Sequence, residues 1–218
     1  MTNDLTAVQF ATNPDPRAPL VLVLDTSGSM GGEPISELNA GLQALKQDLE
    51  KDELSSRRVE IAIVTFGDQG VQQVQDFVTA RDWEPPVLTA DGLTPMGEAL
   101  MLSLALVNER KTVYRVNGIQ YYRPWIFMLT DGNPTDSVEA AGNILKMEEQ
   151  NNGVAFFSVL VQDADPESIT GLSSRPPIPL RGLAFRELFQ WLSASQKRVS
   201  GSMVGAQVAL PPIEWSKV

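Results

Sequence analysis

Cysteine and histidine are both absent from these 218 residues. Without cysteine there can be no disulfide and no thiolate metal ligand, and without histidine no imidazole ligand, so zinc loses its usual partners. The same two absences remove the base of a Ser-His-Asp triad and every thiol nucleophile, which takes away most hydrolytic mechanisms. Basic residues are also scarce: 17 Lys and Arg against 27 Asp and Glu leave a net charge of −10. No stripe of cations interleaved with aromatics stands out, so a phosphate backbone would be repelled and nucleic acid is not expected as a partner. No apolar run approaches the roughly 20 residues needed to cross a bilayer. Met1 to Leu5 carries neither a basic segment nor an apolar stretch of signal-peptide type, so a membrane is not expected as a partner and cytoplasm is the expected location.

An apolar content of 43% with four Trp and eight Phe predicts a folded globule, and the length suits one α/β domain without room for a second catalytic one. Leu20–Leu24, Val59–Phe66, Trp125–Leu129 and Val154–Val161 are continuous apolar runs of strand length, as in parallel strands covered on both faces. Val71–Val78 alternates only in part and follows the Gly67-Asp-Gln-Gly70 turn, which predicts an antiparallel edge strand. Between these runs, Ile35, Leu38, Leu42, Leu45 and Leu49 mark one amphipathic helix. Ala99, Leu100, Leu102, Ala105 and Leu106 mark a second, beginning near Pro95, and Val138, Ala141, Leu145 and Met147 a third over about 137–150. Phe185, Leu188, Phe189 and Leu192, with Trp191, define a terminal helix of core anchors after a small strand near the Pro-rich 176–179 stretch.

Asn117-Gly118 between Val113–Val116 and Ile119–Tyr122 predicts a hairpin with a type I′ turn. Its Tyr114, Tyr121, Tyr122 and Arg123 either pack onto the domain or form a docking surface. Strands alternating with helices at this spacing predict a single doubly wound, mostly parallel sheet with helices on both faces, a Rossmann-like arrangement with an antiparallel edge strand. Residues 1–17, with Val8-Gln-Phe10 as a short edge segment, form a lead-in; 18–200 are the domain, and 201–218 a tail.

Three loop segments carry oxygen-bearing side chains where such a sheet gathers its ligands: Asp25-Thr-Ser-Gly-Ser29 after the first apolar run, Thr94 in Gly92-Leu-Thr-Pro-Met-Gly97, and Asp131 before Gly132. Any one of them reads equally well as a helix cap or turn. Together, Asp25, Ser27, Ser29, Thr94 and Asp131 supply two carboxylates and three hydroxyls, the oxygen set of a hard divalent cation. Mg²⁺ is the first choice, with Mn²⁺ or Ca²⁺ as alternatives. Glu33 and Asp136 lie nearby in sequence, where exposed acids at helix starts also stabilise the helix dipole.

Asp25, Ser27 and Ser29 match the Asp-x-Ser-x-Ser of the von Willebrand factor A fold, and Thr94 and Asp131 stand where that family places its remaining ligands of the metal-ion-dependent adhesion site. Further segments resemble its bacterial TerY-like branch, linked to tellurium resistance and stress response. They are Pro16-Arg-Ala-Pro19, Asp25–Met30, Val64-Thr-Phe-Gly67, Tyr121-Tyr-Arg-Pro-Trp125, Thr130-Asp-Gly132 and Phe185–Leu192. The resemblance implies that Ser27, Ser29 and Thr94 contact the ion, the two Asp directly or through water, and that a partner's Glu or Asp completes the shell. It also implies a cytoplasmic, noncatalytic adaptor working with a PP2C-type phosphatase and a Ser/Thr-kinase-like protein. Two other functions use the same site: a subunit of an AAA-type ATPase complex, and a metal-dependent phosphoryl-transfer enzyme. The enzyme would lack a His or Cys base and a P-loop, and Ser27 departs from an Asp-x-Asp phosphatase pattern.

Overall fold

The apolar runs become the strands of one sheet in a computed structural model that describes residues 10–67, 69–162 and 164–216. In chain order these are β1 (Ala18–Thr26), β2 (Val59–Gly67), β3 (Gly70–Thr79), β4 (Trp125–Thr130), β5 (Ala155–Leu160) and the two-residue β6 (Ile178–Pro179). The helices are α1 (Glu33–Glu50), α2 (Glu53–Arg58), α3 (Met96–Val116), α4 (Glu139–Gln150) and α5 (Phe185–Ser200). Spatial order is β3-β2-β1-β4-β5-β6, with all pairs parallel except β2–β3. That exception has a local cause: Gly67 and Gly70 pair across a turn too short for a crossover, so the chain must reverse. Asp68 of that turn lies outside the described residues.

β1 is buried at every position, and its side chains alternate between two cores. Leu20, Leu22 and Leu24 pack with Leu38, Leu42, Leu45 and Leu49 of α1 and Phe185, Leu188, Phe189 and Leu192 of α5. Val21 and Val23 pack with Met96, Leu100 and Val107 of α3 and Ala141 and Leu145 of α4. A period of two in the central strand thus feeds helices on both faces, each fully buried aliphatic side chain contributing about 1.5–3 kcal/mol. Met147, expected in the core, stands 51% exposed, because the buried face of α4 follows Ala141, Leu145 and Glu149 instead.

The hairpin expected over Val113–Tyr122 does not form. α3 continues through Val116 because Lys111 and Tyr114 keep a buried face turning inward, and Tyr114 sends its hydroxyl to the buried carboxylate of Glu60. Asn117-Gly118 is a helix stop. Gly118 has φ +67°, its N–H donates to Arg115 O at 3.3 Å, and Ile119 N–H donates to Tyr114 O at 2.9 Å. These are the paired bonds of a Schellman cap. Positive φ serves both a type I′ turn and a helix cap, and burial of Tyr114 decides between them. Tyr122 is likewise buried, its hydroxyl donating to Ser202 O at 2.7 Å.

Glu60 is itself fully enclosed and compensated by Arg17 at 3.0 Å and Arg110 at 2.8 Å, as a buried charge requires. Of the edge segment expected at Val8-Gln-Phe10, Val8 and Gln9 lie outside the described residues, while Phe10 is helical and packs edge-on against Tyr114 at 6.0 Å. All six strands and α1–α5 fall within residues 18–200. Residues 201–216 form no helix; Ser216 makes an isolated bridge to Leu180 just beyond β6, and Val208 and Leu210 pack against the core. The same segment buries Trp215 to 2% exposure, edge-on to Trp191 at 5.7 Å, and Trp191 Nε1 donates to Pro211 O at 2.9 Å.

Candidate metal centre

The strand order reverses direction between β1 and β4, so the loops leaving their carboxyl ends diverge and open a crevice there. Asp25 is the penultimate residue of β1 and Asp131 the first beyond β4. The chain after Thr26 closes at once into a 3₁₀ turn over Gly28–Met30, with Met30 N–H donating to Ser27 O at 3.0 Å and the Met30 side chain sunk in the core. That anchor holds Ser27 and Ser29 on the crevice side. Gly28 N–H and Asp91 N–H bond to Gly92 O and Thr26 O at 3.1 and 2.9 Å, tying this loop to the segment that leads into Thr94.

All five predicted residues converge. Ser27 Oγ lies 3.1 Å from Ser29 Oγ, and Ser29 Oγ donates to Asp131 Oδ1 at 2.7 Å across 102 residues of chain. Thr94 joins them through Gly132: a point one Cβ length off that glycine would lie 3.5 Å from Thr94 Oγ1 and 3.9 Å from Ser29 Oγ. Asp25 sits deepest, completely buried, with Oδ1 accepting from Ser27 N–H at 2.8 Å and Oδ2 from Thr130 Oγ1 at 2.6 Å. Burial pushes the Asp25 carboxyl above its ordinary range, against the pull of Ser27 and Thr130, and the Asp131 charge adds to the rise. Burial raises Asp131 as well, with Ser29 opposing it. Two carboxylates lifted by desolvation around a shared pocket are what a divalent cation would relieve.

The donor spacing suits a small hard ion. Ligands about 2.1 Å from an octahedral centre lie about 3.0 Å from one another, and the Ser27–Ser29 and Ser29–Asp131 separations bracket that figure at 3.1 and 2.7 Å. Among the described residues no three of Asp, Glu, His and Cys gather into a cluster, so hydroxyls must supply the balance of this donor set.

Two supporting residues, Thr130 and Thr135, escaped the sequence reading, and Asp136 takes a different part from the one expected. Thr130 closes an apolar strand and reads as its last core position, yet its hydroxyl fixes Asp25 and accepts from Gly132 N–H at 3.2 Å. Thr135 accepts from Thr94 N–H at 3.2 Å and donates its own N–H to Thr94 O at 2.9 Å. Asp136, expected as an acid near the site at a helix start, instead caps α3, accepting from Gly97 N–H at 2.9 Å and Glu98 N–H at 2.8 Å. Gly97 is required for that approach, since a Cβ there would stand 2.2 Å from Ser137 O. Glu33 is exposed at the start of α1. The signal available was the Thr-Asp-Gly triplet, in which a hydroxyl directly precedes the site carboxylate.

A doubly wound sheet with one reversed edge strand and an acid-and-hydroxyl crevice at its switch point is an α/β domain of Rossmann-like architecture. Residues 20–187 match the von Willebrand factor type A domain model, and the chain belongs to that family. No curated protein sequence matches the chain. Among solved structures it is similar to proximal thread matrix protein 1 from the mussel byssus (16% identity, TM-score 0.58, 83% of this chain and 46% of that one). It is also similar to the pilus adhesin SpaC from Lactobacillus rhamnosus GG in its open conformation (15%, 0.63, 85% and 30%). The chain therefore spans less than half the length of either. Manganese-loaded TRAP protein from Plasmodium vivax is similar at 19% identity and TM-score 0.50, over 79% of this chain and 62% of that one. No helix among the described residues is long and apolar enough to cross a membrane.

Proposed function

We propose that the chain is a noncatalytic, metal-dependent protein-interaction module in which Asp25, Ser27, Ser29, Thr94 and Asp131 hold one divalent cation, Mg²⁺ in the first instance. The observation that carries this reading is the Ser29–Asp131 contact at 2.7 Å, which joins the loops after β1 and β4 into one donor set facing the crevice. A bound divalent ion would supply an electrophilic centre for an acidic oxygen. Two carboxylates neutralise its charge without excess, so a Glu or Asp from a partner protein can complete its shell. Thr130 and Ser27 N–H orient Asp25, while Thr135 and Asp136 fix the Thr94 loop. The exposed Leu93, beside Thr94, gives the surroundings an apolar character suited to packing around such a carboxylate.

The motif resemblance across residues 16–192 supports a narrower role within this one: a TerY-like cytoplasmic adaptor in a bacterial stress response, with a PP2C-type phosphatase and a Ser/Thr-kinase-like protein as its partners. Affinity capture with the purified chain, in Mg²⁺ and in excess chelator, tests both levels. Metal-dependent recovery of those two proteins supports the adaptor role. Capture that is unchanged by chelator, or by Asp131→Ala, overturns the metal-bridged mechanism.

A further inference from the structure

At the opposite end of the strands from the crevice lies a second concavity of about 830 Å³, where Trp125 and Ala155 begin β4 and β5. Six residues of β4, at about 3.3 Å each, set the two places roughly 20 Å apart. One wall comes from the end of α3, another from the loop before β4, and residues 204–208 and Leu210 run along its side. Its volume falls in the range of small-molecule sites.

The charge of the lining is opposite to that of the chain. Lys111, Arg115, Arg123 and Arg175 line it with no Asp or Glu among the described residues, in a protein of net charge −10. Two of these cations are compensated from behind: Lys111 by Glu148 at 3.1 Å and Arg175 by Glu149. The other two have no carboxylate partner among the described residues. Arg115 is exposed and held only by Thr112 Oγ1 at 3.2 Å. Arg123 gives Nε to Val154 O at 2.8 Å and Nη2 to Glu149 O at 3.0 Å, both backbone carbonyls. Those bonds fix the Arg123 plane without neutralising it. Burial, and then the neighbouring Arg175 charge, hold the Arg123 guanidinium below its ordinary range, with the Glu149 charge opposing them. Several cations kept close around one concavity, two of them without an ion pair among the described residues, are complementary to an anion carrying more than one charge. Guanidinium forks match phosphate oxygens in pairs.

We propose that this cavity binds a phosphate-bearing small molecule, with Arg115 and Arg123 contacting its phosphate groups and Lys111 and Arg175 at its edges. The site is independent of the metal centre and works with chelator present.

The test uses the full chain in EDTA at near-physiological ionic strength, titrated calorimetrically with pyrophosphate, tripolyphosphate, ATP, adenosine and an oligo-aspartate peptide. Saturable one-to-one binding of the phosphate compounds, with none of adenosine, is expected. ATP tighter than tripolyphosphate would mark a nucleotide as the source, and equal affinity a free phosphate chain. Arg115→Glu should weaken binding about ten- to a hundredfold, as loss of a charged hydrogen bond plus repulsion requires, and Arg115→Lys should retain part of it. Asp25→Ala should leave it unchanged. Arg186→Glu alters net charge equally at an exposed position on α5 outside the cavity and should have little effect. The proposal is overturned if no phosphate compound binds, if Arg186→Glu weakens binding as much as Arg115→Glu, or if only the oligo-aspartate binds.

Discussion

Thr130→Val is the most informative single change, because it removes one hydroxyl from beneath the metal centre while keeping the shape of a fully buried side chain. The lost bond is short, 2.6 Å, and its acceptor is the enclosed carboxylate of Asp25. A hydrogen bond to a charged group is worth about 1.5–3 kcal/mol, and Gly132 N–H loses its 3.2 Å acceptor as well. For a domain of this size each kcal/mol moves the melting temperature by about 2–4 °C, so the variant should melt roughly 3–12 °C lower in chelator. Mg²⁺ affinity should also fall about ten- to a hundredfold, the usual cost of removing a group that orients a metal ligand. Circular dichroism melts in EDTA and calorimetric Mg²⁺ titrations give the two readouts. A variant that melts with the wild type would show that Asp25 does not depend on Thr130. A destabilised variant with undiminished Mg²⁺ affinity would remove Asp25 from the ion's surroundings altogether.

Mg²⁺ at about 100 times its dissociation constant should stabilise the wild type by about 2.7 kcal/mol, roughly 5–10 °C in melting temperature. Asp25→Ala should lose most of that shift in paired melts, and an equal shift in both proteins would exclude Asp25. Glu149 is buried on α4, and although burial pushes its carboxyl up, donors from Ser173, Ser174, Arg175 and Phe156 bring it below the ordinary 4.5. A lowered folded-state value contributes stability that is present above about 4.5 and lost as pH falls below it. The urea-denaturation gap between wild type and Glu149→Gln should therefore narrow from pH 7 to about pH 3; a gap of constant size would refute this. Trp215→Ala should cost about 3–5 kcal/mol by the same method, and a loss under about 1 kcal/mol would mean that the 201–216 segment is not docked.

The parts of the fold visible in the sequence were those where one physical demand dominates. Leu20–Leu24 is apolar on both faces because helices cover both sides of β1, and Leu38, Leu42, Leu45 and Leu49 repeat because only one face of α1 is covered. Asp25, Ser27 and Ser29 were visible because their spacing is local, and Thr94 and Asp131 because each stands beside a helix start or strand end. Where two demands share one signature, the sequence misled. Asn117-Gly118 fits any positive-φ site, and burial of Tyr114, a tertiary fact, makes it a cap. Trp215 sits among Pro, Glu and Ser, so its docking on Trp191 leaves no periodic trace. Thr130 and Asp136 act across 105 and 39 residues of chain, separations that no local pattern encodes.

The hydrogen bonds joining 94–98 to 135–136 have a mechanical consequence. Thr94 and Thr135 exchange two bonds, and Asp136 grips the first turn of α3 with two more, so the Thr94 and Asp131 sides of the crevice form a single stiff jaw. The Ser27–Ser29 turn meets that jaw through the Ser29 side chain at Asp131 and through backbone bonds from Gly28 N–H to Gly92 O and from Asp91 N–H to Thr26 O. Any adjustment of the crevice to a partner is thereby concentrated in these few bonds, and mutations that loosen Asp136 should blur the geometry at Thr94 without touching a single ion-facing atom.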